Sequence, residues 1–213
     1  MTVKPHMPLI LASTSPYRRE LLARLRLPFE TVGPHVDETP RPGEAPGDLA
    51  VRLSIAKATA VSARHPGAVV IGSDQVATVH GAPIGKPGDF ERARAQLRML
   101  SGQEVAFHSA LAVTDGTRTA HADIVTRCRF RTLSDAAIEA YLRAETPYDT
   151  AGSAKAEGLG IALMDSMHSD DPTAIIGLPL IALTGMLAQF GLDPLHAAEA
   201  AHGRQAAPSG SLP

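Results

Sequence analysis

Two long alternating segments, residues 105–113 and 118–131, are joined through Asp115-Gly116 and restrict the fold more than any other feature of the chain. Asp-Gly between two runs of period two is a strong hairpin signal, so these segments pair antiparallel. Elsewhere the pattern is different. Apolar runs at residues 8–13, 29–33 and 68–72 are followed, directly or after turn-rich stretches, by segments of helical period. That alternation is the mark of parallel strands joined by helices. A chain carrying both patterns is expected to build an α/β fold with a mixed central sheet and flanking helices, not a doubly wound parallel sheet.

Local signals place the remaining elements. Ser15 is a natural N-cap, Pro16 suits the first helical position, and Leu21, Leu22 and Leu25 share one face behind them. A long helix is expected over residues 48–64, with Leu49, Leu53, Ala56 and Ala60 on its buried stripe. Residues 68–72 (AVVIG) read as a buried central strand that delivers Ser73-Asp74-Gln75 at its C-terminal end. Residues 76–79 and 83–84 flank His80-Gly81-Ala82 as a small hairpin. Residues 89–100 and 135–144 read as helices, the second capped by Ser134. A short strand around residues 160–163 and a helix over residues 179–190 complete the pattern. One domain is expected over residues 1–200, and a disordered tail over residues 201–213.

Composition narrows the class. With 213 residues, 44% of them apolar, the chain can bury roughly 70% of its unfolded surface and needs no disulfide or structural metal. A net charge of −2 argues against a general nucleic-acid or membrane-surface binder. No apolar run approaches the roughly 18–20 residues that span a bilayer. The single cysteine, Cys128, and the absence of a signal-peptide stretch in residues 1–8 make the cytoplasm the expected address. Only four lysines, three tyrosines and no tryptophan are present. A site that needs an ammonium or a stacking ring therefore has few candidates.

Arg18 and Arg19 occupy the first turn of the first helix, where the helix dipole and free N–H groups disfavour cations. A bound anion resolves the conflict, and Ser13, Thr14 and Ser15 add hydroxyls to a ready phosphate cradle. A solvated arginine face on an ordinary capped helix is the bland alternative. Asp37-Glu38 is an acidic pair in a loop, and Asp74 is a second acidic position. Carboxylates beside a phosphate cradle repel a phosphate unless a divalent cation bridges them. Each is otherwise a common turn or cap residue, although strand ends in open α/β sheets are where ligands bind. Lys57 lies mid-helix among alanines, Lys86 stands in Gly85-Lys86-Pro87, and either reads equally as a surface lysine. Glu157, in the glycine-rich run GSAKAEGLG of residues 152–160, is able to accept two parallel hydrogen bonds from a guanine edge, or to sit in a mobile connection. The apolar run IIGLPL reads as the start of a core helix. No P-loop, CxxC, HExxH or glycine-flanked nucleophilic serine is present.

In order, LILASTSPYRRELL, VDETPRPGE, VRLSIAKA, VVIGSDQV, IGKP, RTLSDAAIEAY, AGSAKAEGLGI and IIGLPL resemble the Maf family of nucleoside triphosphate pyrophosphatases, across about residues 9–192. The resemblance implies a Maf/ITPase-like fold of two lobes around a substrate cleft, often dimeric, so a homodimer is expected. It also implies cleavage of a nucleoside triphosphate to the monophosphate and pyrophosphate with a divalent cation, Mg²⁺ or Mn²⁺. By position, Asp74 resembles the family's proton acceptor. Ser13, Arg18, Lys57 and Lys86 match phosphate-binding positions, and Glu38 matches an acidic residue that would share the metal with Asp74. Tyr17, Gln75 and Glu157 fall at subgroup-distinguishing positions and resemble the branch that hydrolyses 7-methyl-GTP. The dTTP/UTP branch, with Arg, Thr and Gln at these places, is the enzyme alternative, and a nucleotide-sensing regulator of cell division is the non-enzyme one. Departures are His35 in place of an acidic residue, Ser169-Asp170 in place of Gly-Arg, and Tyr17 where tryptophan would stack more strongly.

Overall fold

The computed structural model describes residues 7–205. Its strands are β1 (Leu9–Ala12), β2 (Glu30–Thr31), β3 (Val69–Val79), β4 (Ala82–Ile84), β5 (Glu104–Thr114), β6 (Thr119–Phe130) and β7 (Met164–His168). They form one mixed sheet in the order β2-β1-β3-β5-β6-β7, with β4 paired to β3. β1 runs parallel to both β2 and β3, and every other pairing is antiparallel. The expected hairpin is β5–β6. Its turn is closed by the Asp115 carboxylate, which accepts from the backbone N–H groups of Thr117 and Arg118.

Helices α1 (Pro16–Ala23), α2 (Pro46–Ser62), α3 (Phe90–Leu100), α4 (Asp135–Glu145), α5 (Leu180–Gln189) and α6 (Pro194–Gln205) flank the sheet. Ser15, Asp89 and Ser134 cap α1, α3 and α4, each accepting from the N–H three residues on. Residues 201–205 of the expected tail fall within α6, and residues 206–213 lie outside the described residues. No described helix is long and apolar enough to cross a membrane.

The two largest of four apolar clusters grip the sheet. One joins Leu9 and Leu11 of β1 to Leu21 and Leu22 of α1 and to Leu183 and Leu187 of α5. The other joins Phe107 and Phe130 of the long hairpin to Leu97 of α3 and Ile138 of α4. Cys128 lies wholly buried in the second cluster, and burial pushes its thiol up to about 12.

Three sequence expectations are corrected. The strand expected to stop at residue 72 continues to Val79, so Asp74 sits inside β3 and not at its end. The polar trio Ser73-Asp74-Gln75 is accommodated because β5 pairs with β3 through residues 70–78, while parallel β1 stops at Ala12 and opens the sheet beside Asp74. The expected strand around residues 160–163 is a 3₁₀ turn (Leu159–Leu163), and the strand begins only at Met164. Gly160 packs so tightly on the Lys155 backbone that an extended run has no room there. On α2, Ala56 and Ala60 are only half-buried, and the inward face carries Leu49, Leu53, Ser54, Lys57, Ala58 and Val61. Alanines give little directional signal. What sets the rotation is Gly72, which lets the α2 backbone rest directly on β3.

Candidate active site

A cleft of about 550 Å³ opens where β1 ends. Ser13, Tyr17, Arg18, Glu38, Lys57, Asp74, Gln75, Lys86 and Glu157 all line it, so the structure brings every candidate residue to one place. Its walls draw on both apolar clusters, with Phe107 and Ala154 from one and Ile176 from the other.

The phosphate-cradle side is built by the turn from β1 into α1. The Ser13 hydroxyl accepts from the Ser15 N–H at 3.1 Å, and no acidic side chain stands in the first turn of α1. Of the two arginines there, only Arg18 faces the cleft, while Arg19 is exposed outside it. The Arg18 Nε donates to the Gly177 carbonyl at 2.9 Å. Burial pulls the Arg18 pKa below its ordinary value, and the Asp74 and Glu38 carboxylates act against that. A guanidinium fastened through Nε keeps its terminal N–H groups for a ligand. Lys86 stands exposed at the cleft in a turn fastened on both sides, by Gln96 donating to the Gly85 carbonyl and by the Gly88 N–H donating to Tyr148.

Lys57 is the centre of charge. It is 5% exposed on the inward face of α2, and its Nζ lies 2.6 Å from Asp74 Oδ1 and 2.7 Å from Glu38 Oε1. Asp74 is 7% exposed, whereas the Glu38 side chain is 59% exposed on its loop. That loop is tied to α2 by Arg52, which grips both oxygens of Glu44 and donates to the Thr39 carbonyl. Two carboxylates thus converge on one cation, one rigid and one on a tethered loop.

Gln75 lines the cleft, but its amide nitrogen is already committed to Ser109 Oγ and to the Ala174 and Ile175 carbonyls. Ser109 also donates to Ala174, and the Ser73 hydroxyl lies 2.9 Å from the Gly177 carbonyl. Side chains of β3 and β5 therefore suspend the turn of residues 174–177, which in turn holds Arg18.

Sequence reasoning read IIGLPL as a core helix start and missed this turn. Leu178 and Leu180 are indeed buried, but the functional atoms are backbone carbonyls, and the one available signal was Gly177, at φ 112°. Asp171 was also missed. At 1% exposure, its carboxylate accepts from the backbone N–H and hydroxyl of Thr173 and from the N–H groups of Ile181 and Ala182. Pro179 gives α5 no side-chain cap, so Asp171 serves its free N–H groups from outside the helix. Asp171→Ala leaves those donors unpaired and is expected to cost about 2–3 kcal/mol. In a domain of this size that lowers the thermal midpoint by roughly 5–10 °C, as calorimetry would measure.

Tyr17 in the first turn of α1 and Glu157 in the glycine-rich loop also line the cleft. Lys155 Nζ lies 5.8 Å from the Tyr17 ring centroid. Among the described residues no group of three or more His, Cys, Asp or Glu side chains is placed to hold a metal. The donors that do converge are the two carboxylates on Lys57.

The family model for Maf-like proteins matches residues 8–190. A 7-methyl-GTP pyrophosphatase of Bordetella pertussis is 79% identical over 187 residues, covering 88% of this chain and 94% of that protein. One of Burkholderia thailandensis is 60% identical over 205 residues, covering 92% and 95%. Among solved structures, the Staphylococcus aureus Ham1 protein aligns over 59% of this chain and 72% of its own, at 14% identity and a TM-score of 0.43. By the match of the family model to nearly the whole described chain, the protein belongs to the Maf family.

Proposed function

We propose that the protein is a pyrophosphatase that hydrolyses 7-methyl-GTP to 7-methyl-GMP and pyrophosphate in the cytoplasm. The observation that carries this reading is the Glu38–Lys57–Asp74 bridge beside the Arg18 cradle, in a chain 60–79% identical to relatives of that name. The incoming triphosphate competes with the two carboxylates for the Lys57 ammonium. Asp74, released from it, accepts a proton from the water that attacks the α-phosphorus. The bond from the α-phosphorus to the bridging oxygen breaks, and that oxygen leaves with pyrophosphate. Arg18, Lys57 and Lys86 neutralise charge on the phosphate oxygens, the main lever in phosphoryl chemistry.

The carboxylates of Glu38 and Asp74 each come within 2.7 Å of one point. Glu38 and Asp74, as hard oxygen donors, would hold Mg²⁺ or Mn²⁺. When bound there, such an ion supplies charge neutralisation and a more acidic water.

Base recognition rests on Tyr17 and Glu157. Methylation at N7 gives the purine a positive charge, which favours stacking on an electron-rich ring and pairing with a carboxylate. Gln75, with its nitrogen committed to the turn of residues 174–177, supports this end through that turn.

A panel of 7-methyl-GTP, GTP, dTTP and UTP with Mg²⁺ or Mn²⁺ tests the reading, with pyrophosphate release as readout. The expected order has 7-methyl-GTP first by kcat/KM. Faster cleavage of dTTP or UTP moves the protein to the pyrimidine branch. No turnover of any of them leaves a nucleotide-binding regulator. In ¹⁸O water the label is expected in 7-methyl-GMP; label in pyrophosphate would put the attack at the β-phosphorus.

A further inference from the structure

Lys155 has no part in the chemistry above, yet its backbone is closely held within the glycine-rich loop. Its backbone N–H donates to the Tyr141 hydroxyl at 3.0 Å, and its carbonyl accepts from the Gly158 N–H at 3.1 Å. Gly160 packs against it so closely that a Cβ there would lie 2.5 Å from the Lys155 oxygen and 2.6 Å from its nitrogen. Tyr141 is itself buried on α4. The Lys155 backbone is therefore fixed to the wall that contains Phe107 and α4.

The side chain crosses to the other wall. Its Nζ sits 5.8 Å from the centroid of Tyr17, which belongs to α1, and 3.6 Å from Asp149 Oδ1. Only 14% of the Lys155 side chain is exposed. Burial works against its charge, but the Tyr17 phenol and Asp149 outweigh that and hold the ammonium above the usual lysine range. Lys155 pairs with Asp149 and not with Glu157, two residues on. α1 packs in one apolar cluster and Ala154 in the other. A contact between Tyr17 and Lys155 therefore joins the first turn of α1 to the glycine-rich loop.

We propose that Lys155 is a positioning residue for base recognition: its ammonium ties the Tyr17 ring to the loop of residues 149–157 and sets the width of the base subsite. The inference rests on the base-recognition reading above and extends it to a residue that acts through Tyr17. A stacking ring held in place loses less freedom when the base arrives, and the gain appears in binding. Arg18 follows Tyr17 on the same helix but is fastened separately, to the Gly177 carbonyl, so the phosphate end is expected to be unaffected.

The test compares wild type, Lys155→Met and Lys155→Arg, each also in a Tyr17→Ala background. Steady-state hydrolysis of 7-methyl-GTP is measured together with competitive inhibition by inorganic tripolyphosphate, which occupies the phosphate end alone. Lys155→Met is expected to raise KM about five- to tenfold, the scale of one charge-assisted contact. It leaves kcat within about twofold, because no interaction special to the transition state is removed. The tripolyphosphate inhibition constant stays at its wild-type value, Lys155→Arg restores most of the KM, and Lys155→Met has no added effect once Tyr17 is alanine. An unchanged KM, a tripolyphosphate constant that rises in step with KM, or a full Lys155 effect without Tyr17 each overturns the inference. If the wild type cleaves another triphosphate and not 7-methyl-GTP, the proposed substrate falls. The same cycle on the nucleotide it does cleave then decides Lys155 separately.

Discussion

Asp74→Asn is expected to lower kcat for 7-methyl-GTP by roughly 10²–10⁴-fold, the range over which a positioned general base acts. The substitution keeps the shape of the side chain and one oxygen toward Lys57, so the fold has little reason to respond. Lys57 also retains Glu38 at 2.7 Å. Thermal unfolding is therefore expected to move by only a few degrees, and nucleotide binding to survive. Loss of turnover with retained binding identifies Asp74 as the proton acceptor. Wild-type-like turnover removes it from the chemistry, and loss of binding and folding together would assign it a structural role.

Among the described glycines, Gly72 is expected to tolerate replacement by alanine least. Gly72 lies in the centre of the sheet, opposite Ala12 of β1 and Ala112 of β5. A Cβ there would overlap the Ser54 carbonyl and lie 2.6 Å from the Ala58 nitrogen. Both are backbone atoms of α2, which cannot step aside as a side chain can. The cost of such overpacking is about 3 kcal/mol or more. The thermal midpoint should fall by roughly 6–12 °C. Lys57 lies between Ser54 and Ala58, so displacing α2 also draws the ammonium off Asp74, and kcat/KM should fall in the molecules that remain folded. A variant with wild-type stability would mean that α2 slides freely over β3, against the contact described above.

The parts of this structure that sequence alone made legible are those written in side-chain type and spacing. Asp115-Gly116 announced the β5–β6 hairpin, and Ser15 and Ser134 announced two helix starts. The candidate site residues were recognisable because short motifs brought them forward in order, and they meet in one cleft. Where the reading failed, the cause lay in the backbone. Asp74 looked like a strand-end residue because polar residues interrupt an apolar run, yet β5 carries β3 straight through them. The inward turn of Lys57 was hidden because it depends on how near α2 can come to Gly72, a property of two segments together. The turn of residues 174–177 was missed because carbonyl oxygens do its work, and every residue type carries one. Asp171 was missed because it caps a helix that begins nine residues later, beyond the reach of any local capping pattern.

The bond from Arg18 to the Gly177 carbonyl joins residues 159 positions apart. During synthesis the phosphate cradle emerges from the ribosome long before its fastening does. Until the turn of residues 174–177 has been made, Arg18 has no acceptor to aim it, and Gln75 and Ser109 have no carbonyls to hold. A nascent chain or a fragment ending before residue 174 therefore carries Asp74, Lys57 and Arg18 without the arrangement that lets them act. The arrangement at the cradle therefore waits on a segment made well over a hundred residues after it.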